Sequence, residues 1–159
     1  MVSQPEKFNP PMKIAIGSDH GGFALKQRVL SLLQDQPMDL TDMGTCSTDS
    51  VDYPDFANAV AQSVSEEQVD EGILICTTGI GMSIAANRYP GVRAALVNTP
   101  SHAKTARTHN NANILALGTD STTQEILESI LDAWFGNHFE GGRHSRRLNK
   151  LETLPTTTQ

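Results

Sequence analysis

Short apolar runs alternate with helical patterns along most of this chain, and that alternation limits the fold more than any other feature of the sequence. Strands that are joined by helices run parallel, and a parallel sheet needs helices on both faces. Because such crossovers are right-handed, the sequence predicts one α/β domain, a doubly wound, Rossmann-like three-layer sandwich around a five-stranded parallel sheet. The predicted strands are Met12–Ile16, Asp39–Met43, Ile73–Cys76, Val92–Val97 and Asn113–Leu117.

Apolar residues recur at helical spacing between these strands, as in Phe23–Leu33. A short basic helix or arm is expected after Gly141-Gly142. The other predicted helices are Pro54–Val64, Gly81–Arg88, Ser101–His109 and the region of Ile126–Trp134. We expect the folded domain to occupy residues 12–152, with residues 1–11 a disordered lead-in and residues 153–159 a frayed tail.

Composition narrows the classes of partner. The formal net charge of −6 argues against nucleic acid, which needs a basic face. No apolar run approaches the roughly 18–20 residues that a membrane span requires. Cys46 and Cys76 form no CxxC pair and the histidines form no HxxxH pair, so we expect no disulfide framework, no metal site and a reducing cytoplasm.

Polar residues are concentrated beside the predicted strands. Asp19-His20 follows the first strand within a glycine-rich turn, the segment 76–81 follows the third, and His109-Asn110 leads into the fifth. Ligands of doubly wound folds bind at the carboxyl ends of the strands. We therefore expect these residues to meet at that edge of the sheet.

The turn that follows Cys76 has the composition of an anion-binding site. Gly79 and Gly81 let the backbone approach a ligand closely, and the next helix presents unpaired N–H groups. A thiolate beside such a turn can remove a proton next to a carbonyl group and hold the resulting enediolate. The alternative is a buried cysteine acting as a small hydrophobic residue, which is the commoner case for such a turn taken alone.

The other polar residues also allow two interpretations. Asp19-His20 can bind a sugar hydroxyl and a phosphate, or form a turn with a capping aspartate. His109 is either a plain helix-terminal histidine or an acid–base group. A solvated helix end explains the basic cluster as well as a ligand site does from charge alone. That cluster consists of Arg143, Arg146, Arg147 and Lys150.

A dinucleotide site is not supported by the glycines at 79 and 81. Ile84 stands where the G-x-G-x-x-G/A pattern needs a small residue, and Asn98 and Thr99 stand where an acid is expected. The GxxxxGK[ST] phosphate loop is missing from the sequence as well.

Taken in order, these motifs resemble those of ribose-5-phosphate isomerase B and its relative galactose-6-phosphate isomerase. The resemblance runs from about Met12 to Leu151. Several motifs in the right order are more specific than any one of them. The matching segments are Ile14–Gly22 (IAIGSDHGG), Asp52–Pro54 (DYP), Gly72–Cys76 (GILIC), Gly79–Asn87 (GIGMSIAAN), His109-Asn110 and Glu140–His144 (EGGRH).

The resemblance implies metal-free, cofactor-free aldose–ketose isomerisation through a cis-enediol, in the pentose phosphate pathway. It implies that Cys76 moves the proton between C1 and C2, that Thr78 assists transfer between O1 and O2, and that His109 helps to open the sugar ring. Further implied roles are the enediolate-binding amides of Thr77, Thr78, Gly79, Ile80 and Gly81, the hydroxyl-binding Asp19 and Asn110, the pocket residue Tyr53, and the phosphate-binding His20, Arg143 and Arg147. It also implies a homodimer with shared active sites, and leaves open whether dimers pair into tetramers.

Two positions depart from the family pattern. Thr77 stands where glycine is usual, and a β-branched residue is strained there if the position needs a positive φ. Asp120 stands where many relatives place a phosphate-contacting arginine. These departures keep a six-carbon substrate, allose or galactose 6-phosphate, as an alternative to ribose 5-phosphate. A non-catalytic module that binds a phosphorylated ligand is the alternative from another class.

Overall fold

The computed structural model of the chain describes residues 10–153, so the predictions for residues 1–9 and 154–159 lie outside the described residues. Its strands are β1 (Met12–Ser18), β2 (Met38–Asp42), β3 (Glu71–Cys76), β4 (Ala94–Leu96) and β5 (Ile114–Gly118). They form one five-stranded sheet in the order β2-β1-β3-β5-β4, and every neighbouring pair is parallel. The predicted doubly wound parallel sheet is confirmed.

Helices cover both faces of the sheet. They are α1 (Phe23–Leu33), α2 (Tyr53–Ser65), α3 (Ile80–Ala86), α4 (Pro100–Asn110), α5 (Gln124–Phe135) and α6 (Arg143–Glu152). Residues of α1, α4 and α5 join one hydrophobic core, whereas α2 and α3 contribute to the other. Ile73, Leu74 and Ile75 of the central strand β3 are fully buried between these two layers, which explains why that strand is apolar throughout instead of alternating.

The direction of the chain decides which residues can meet. Cys76 pairs with Gly118 at the carboxyl edge of the sheet, and Gly72 pairs with Ile114 at the amino edge. Four residues of strand separate the two edges by roughly 13 Å. Helix α4 follows β4 and leads into β5, so it starts at the carboxyl edge and ends at the amino edge.

Among residues 10–153, no helix combines the length and the apolar composition that crossing a membrane would take.

Candidate active site

Cys76 ends β3 at the centre of the carboxyl edge, with 6% of its surface exposed. Its Sγ accepts a hydrogen bond of 3.1 Å from the backbone N–H of Gly79. Thr119 N–H donates to the carbonyl of Cys76, which ties the residue to the end of β5. The backbone therefore holds Cys76 at both its sulfur and its carbonyl group, and a donor aimed at the sulfur suits a negative charge there.

The turn after Cys76 depends on its glycines. Gly79 has φ +74°, and a Cβ at this position would lie 2.9 Å from the carbonyl carbon of Leu117. A Cβ on Gly81 would lie 2.6 Å from Cζ of Tyr53, so that tyrosine ring rests directly on the turn. Ile80 N–H donates to Oγ1 of Thr78 at 3.2 Å. The turn is thus a fixed set of amides beside the thiol, with Tyr53 as one wall.

Asp19 and His20 lie beside the same turn. The buried carboxylate of Asp19 caps the short helical turn that follows β1, since Oδ1 accepts from Gly22 N–H at 3.0 Å. Nδ1 of His20 accepts from Val51 N–H at 3.2 Å. Because Nδ1 is the acceptor, Nε2 of this exposed ring carries a hydrogen and is the nitrogen available to a ligand.

The structure resolves the conformational question at Thr77. Within residues 10–153, the positive φ values at non-glycine positions belong to Glu67 and Asn111. Thr77 is therefore free of that strain, and its Oγ1 fills the space in which a Cβ on Gly21 would lie. The exposed Asp120 lies at the same edge, where its N–H donates to the carbonyl of Thr77.

A second group of predicted residues gathers around His109, in the last turn of α4. The rings of His109 and His144 are stacked, with centroids 4.2 Å apart and planes 15° from parallel. Glu140 N–H donates to the carbonyl of Thr108, which brings the start of the Glu140–His144 motif to the end of α4. Helix α6 therefore docks beside the terminus that carries His109 and Asn110.

Arg143 and Arg147 lie one turn apart on α6, and both are exposed. Burial lowers the pKa of His144 below its ordinary value, and the positive charges of His109, Arg143 and Arg147 lower it further, while Glu140 opposes them. Both guanidinium groups thus add positive charge near His144. Guanidinium pairs of this kind suit phosphate oxygens.

The expectation that His109-Asn110 would meet the carboxyl-edge residues is wrong within one chain. Because α4 runs back across the sheet, its last turn lies at the amino edge, where Arg107 pairs with the first residue of β3. The predicted residues therefore form two half-sites. We call the set at Cys76 the thiol half-site (Asp19, His20, Tyr53, Cys76, Thr77, Thr78, Gly79, Ile80, Gly81) and the set at His109 the imidazole half-site (His109, Asn110, Arg143, Arg147).

Sequence reasoning missed that His144 and Glu140 belong with His109. His144 lies 35 positions after His109, and no local sequence pattern links the two segments. One donor atom from each of His109, Glu140 and His144 lies within 4.8 Å of the others. This donor set is one that zinc uses. However, the charges of Arg143 and Arg147 act on His144 as well, and positive charge of this kind opposes a bound cation. The arrangement suits an anion better than a cation.

Known proteins are similar to this chain over most of its length. The family model described as Ribose/Galactose Isomerase matches residues 14–151. Ribose-5-phosphate isomerase B of Escherichia coli is 43% identical over 142 residues, which is 89% of this chain and 95% of that protein. The structure of ribose-5-phosphate isomerase B from Clostridium thermocellum gives a TM-score of 0.87 at 46% identity, covering 89% of this chain and 95% of that one.

A further solved relative contains a sugar phosphate. The ribose-5-phosphate isomerase B of Mycoplasma genitalium, solved with bound ribulose-5-phosphate, gives a TM-score of 0.85 at 42% identity and covers 89% of this chain and 94% of that one. A family model over most of the chain and relatives of this identity decide the assignment. The chain belongs to the ribose/galactose isomerase family, whose members of known structure share its fold.

Proposed function

We propose that this chain is an aldose–ketose isomerase that interconverts ribose 5-phosphate and ribulose 5-phosphate. The observation that carries the proposal is the thiol of Cys76, fixed at 3.1 Å from the Gly79 amide beside a turn of further amides. That is what a base needs if it is to leave an oxyanion beside backbone donors. The names of the relatives support the five-carbon substrate.

The reaction moves one proton and one electron pair along the sugar and needs no external oxidant. Cys76 removes the proton from C2 of the open-chain aldose, and the pair that is released forms the C1–C2 double bond of a cis-enediolate. The charge on O1 is held by amides of the segment 77–81, while Thr78 passes a proton from O2 to O1. The Cys76 thiol then returns its proton to C1, which leaves the carbonyl group at C2.

The remaining residues bind and prepare the sugar phosphate. His109 opens the furanose ring by giving a proton to the ring oxygen as the bond between C1 and that oxygen breaks and the C1 hydroxyl releases its proton to solvent, which leaves C2 beside a free aldehyde. Asp19 and Asn110 bind hydroxyl groups, and Tyr53 lines the pocket. His20 offers its Nε2–H to the phosphate, which Arg143 and Arg147 also bind.

A complete active site requires a second copy of the chain, because one chain does not bring its two half-sites together. Within one chain they lie at opposite edges of the sheet, whereas a two-fold dimer can place the imidazole half-site of one protomer on the thiol half-site of its partner. The exposed apolar side chains Ile80 and Ile84, 52% and 62% exposed, lie on α3 beside the thiol half-site. A cavity of about 490 Å³ between Tyr53, Ile84 and Tyr89 adjoins them. We propose that this surface is covered in a homodimer.

Incubating the protein with ribulose 5-phosphate in D₂O tests the function. We expect ribose 5-phosphate to form with deuterium at C2 and the remaining ribulose 5-phosphate to gain deuterium at C1, and we expect Cys76→Ala to lose both. Unchanged isomerisation by Cys76→Ala would refute the base assignment. A binding module without activity would show neither reaction in the native protein.

Allose 6-phosphate and galactose 6-phosphate should be turned over more slowly than ribose 5-phosphate. Thr77→Gly is the informative variant, because it removes the side chain by which this turn departs from the family pattern. A higher kcat/KM on a six-carbon sugar phosphate than on ribose 5-phosphate in the native protein would favour the alternative substrate.

A further inference from the structure

A buried charged cluster lies beneath the imidazole half-site and has no part in the proposed chemistry. Glu71, the first residue of β3, is 5% exposed. Its Oε1 lies 2.6 Å from Nη2 of Arg107, and its Oε2 accepts from Nε1 of Trp134 at 2.7 Å. The guanidinium of Arg107 also lies over the Trp134 ring, 5.2 Å from its centroid. The cluster joins the central strand to α4 and α5.

Arg107 uses its second terminal nitrogen on the chain that follows α4. Nη1 donates to the carbonyl of Ala112 at 2.5 Å, across the αL residue Asn111 that ends the helix. The Ala112 N–H in turn donates to the carbonyl of Ala106. One guanidinium therefore fixes both the last helical turn and the segment just beyond it. His109 and Asn110 lie between these two attachment points.

Net stability does not explain why the chain has a buried ion pair at this position. Burial raises the pKa of Glu71, in opposition to the attraction of Arg107 and the hydrogen bond from Trp134. Buried pairs of this kind contribute little net stability compared with well-packed apolar side chains, but they require one geometry. The required geometry here is that of the turn carrying His109.

We propose that the ion pair of Glu71 and Arg107 is the positioning device that fixes His109 and Asn110 for ring opening, an inference that rests on the proposed function. It acts through α4 and does not touch the sugar. Its loss should therefore slow ring opening and leave the proton transfer at Cys76 intact. Those two steps are separable by the choice of substrate, because ribulose 5-phosphate carries no furanose ring and exchanges its C1 hydrogen through the enediolate alone.

The test is the double variant Glu71→Gln/Arg107→Met, which removes both charges and keeps an acceptor for Trp134. Deleting Arg107 alone would leave an uncompensated buried carboxylate. Isomerisation of ribose 5-phosphate should fall about 10- to 100-fold, the effect of a small misplacement of a catalytic group. Exchange of the C1 hydrogen of ribulose 5-phosphate in D₂O should stay within about 3-fold of native.

A second variant covers the case in which the first does not fold. Arg107→Lys retains the charge, but one ammonium group cannot bridge Glu71 and Ala112 as two guanidinium nitrogens do. Arg107→Lys should also slow isomerisation of ribose 5-phosphate more than exchange of the C1 hydrogen of ribulose 5-phosphate, but by a smaller factor than the double variant. Val64→Ala, in the core on the opposite face of the sheet, is the control for lost stability and should leave the ratio of the rates unchanged.

Either of two results would overturn the proposal: native isomerisation in a folded double variant, or a parallel fall of isomerisation and exchange. Absence of both reactions in the native protein would instead contradict the proposed function, so the two failures are distinguishable.

Discussion

His109 and His144 are stacked face to face, with ring centroids 4.2 Å apart, although one ends α4 and the other begins α6. His144 is 5% exposed, whereas His109 is partly open to solvent. The buried ring of His144 therefore packs against one face of the His109 ring and limits its orientations. Two positive rings in this arrangement would repel each other, and the charge of His109 is one of the causes that lower the pKa of His144, after burial.

Stability should depend on pH through His144. Its pKa in the folded protein lies below the ordinary value of 6.5, because of burial and of the charges of His109, Arg143 and Arg147, with Glu140 opposing them. The unfolded chain then binds more protons at this position than the folded protein does. Stability that is present above about pH 6.5 is therefore lost as the pH falls through the folded-state pKa. His144→Phe keeps a flat ring but cannot titrate, and should lose this part of the dependence.

Urea unfolding of both proteins between about pH 7.5 and pH 5 measures the difference. The raised pKa of Glu71 makes stability fall as pH rises. This effect is the same in the native protein and in His144→Phe, so it cancels when their stabilities are subtracted. Parallel curves for the native protein and His144→Phe would contradict the assignment.

Arg143 and Arg147 should act on substrate binding. Arg143→Ala or Arg147→Ala should raise KM for ribose 5-phosphate about 10- to 100-fold, since each removes a charge-assisted hydrogen bond of about 1.5–3 kcal/mol. The kcat should change little, because the phosphate is bound alike before and during the reaction. Steady-state kinetics checks both quantities.

Arg146 is the matched control for these variants. It lies on the same helix and is equally exposed, but its charge is not among those that lower the pKa of His144. Arg146→Ala should leave KM within about twofold of native. An equal rise of KM in the Arg143, Arg146 and Arg147 variants would indicate non-specific electrostatic attraction of the substrate instead of a phosphate site.

Gly79 and Gly91 offer a matched pair of substitutions at positive φ. Their φ values are +74° and +72°, but a Cβ on Gly91 meets nothing within 4 Å, whereas one on Gly79 would lie 2.6 Å from Cδ1 of Leu96. Gly91→Ala should cost about 1–2 kcal/mol for the left-handed backbone alone and keep activity. Gly79→Ala should cost more and reduce kcat, because the turn must move away from the thiol.

Chemical denaturation and kcat measurements of the two variants test this prediction. If Gly79→Ala retains native kcat, the Gly79 amide does not support the base.

The sequence predicted the helices and the central strand well, because their apolar spacing is set by two cores that lie one on each face of the sheet. Helix α1 has the predicted bounds, Phe23–Leu33. At the sheet edge the pattern was less informative: the run Val92–Val97 is apolar except for Arg93, and β4 is only Ala94–Leu96. The amide side chain of Asn87 bonds both N–H and C=O of Ala94, a termination that no apolar pattern contains.

The thiol half-site could be predicted because its parts follow strands at the same edge. The position of His109 was predicted wrongly, although the direction of the chain contained the necessary information: a residue that leads into a strand lies at its amino end. The stacking on His144 could not be predicted, since it depends on how α6 docks against α4. Local sequence says nothing about that contact between distant elements.

Mixing two inactive variants tests the central claim, that Cys76 of one protomer works with His109 of its partner. Cys76→Ser and His109→Asn should each lack most activity as pure proteins. In a two-fold dimer, a mixed pair has one site with both substitutions and one site with neither. Unfolding and refolding the variants together at equal amounts should therefore restore about a quarter of native activity, because half of the dimers are mixed and half of their sites are intact. A mixture no more active than the two variants measured apart would contradict the shared site.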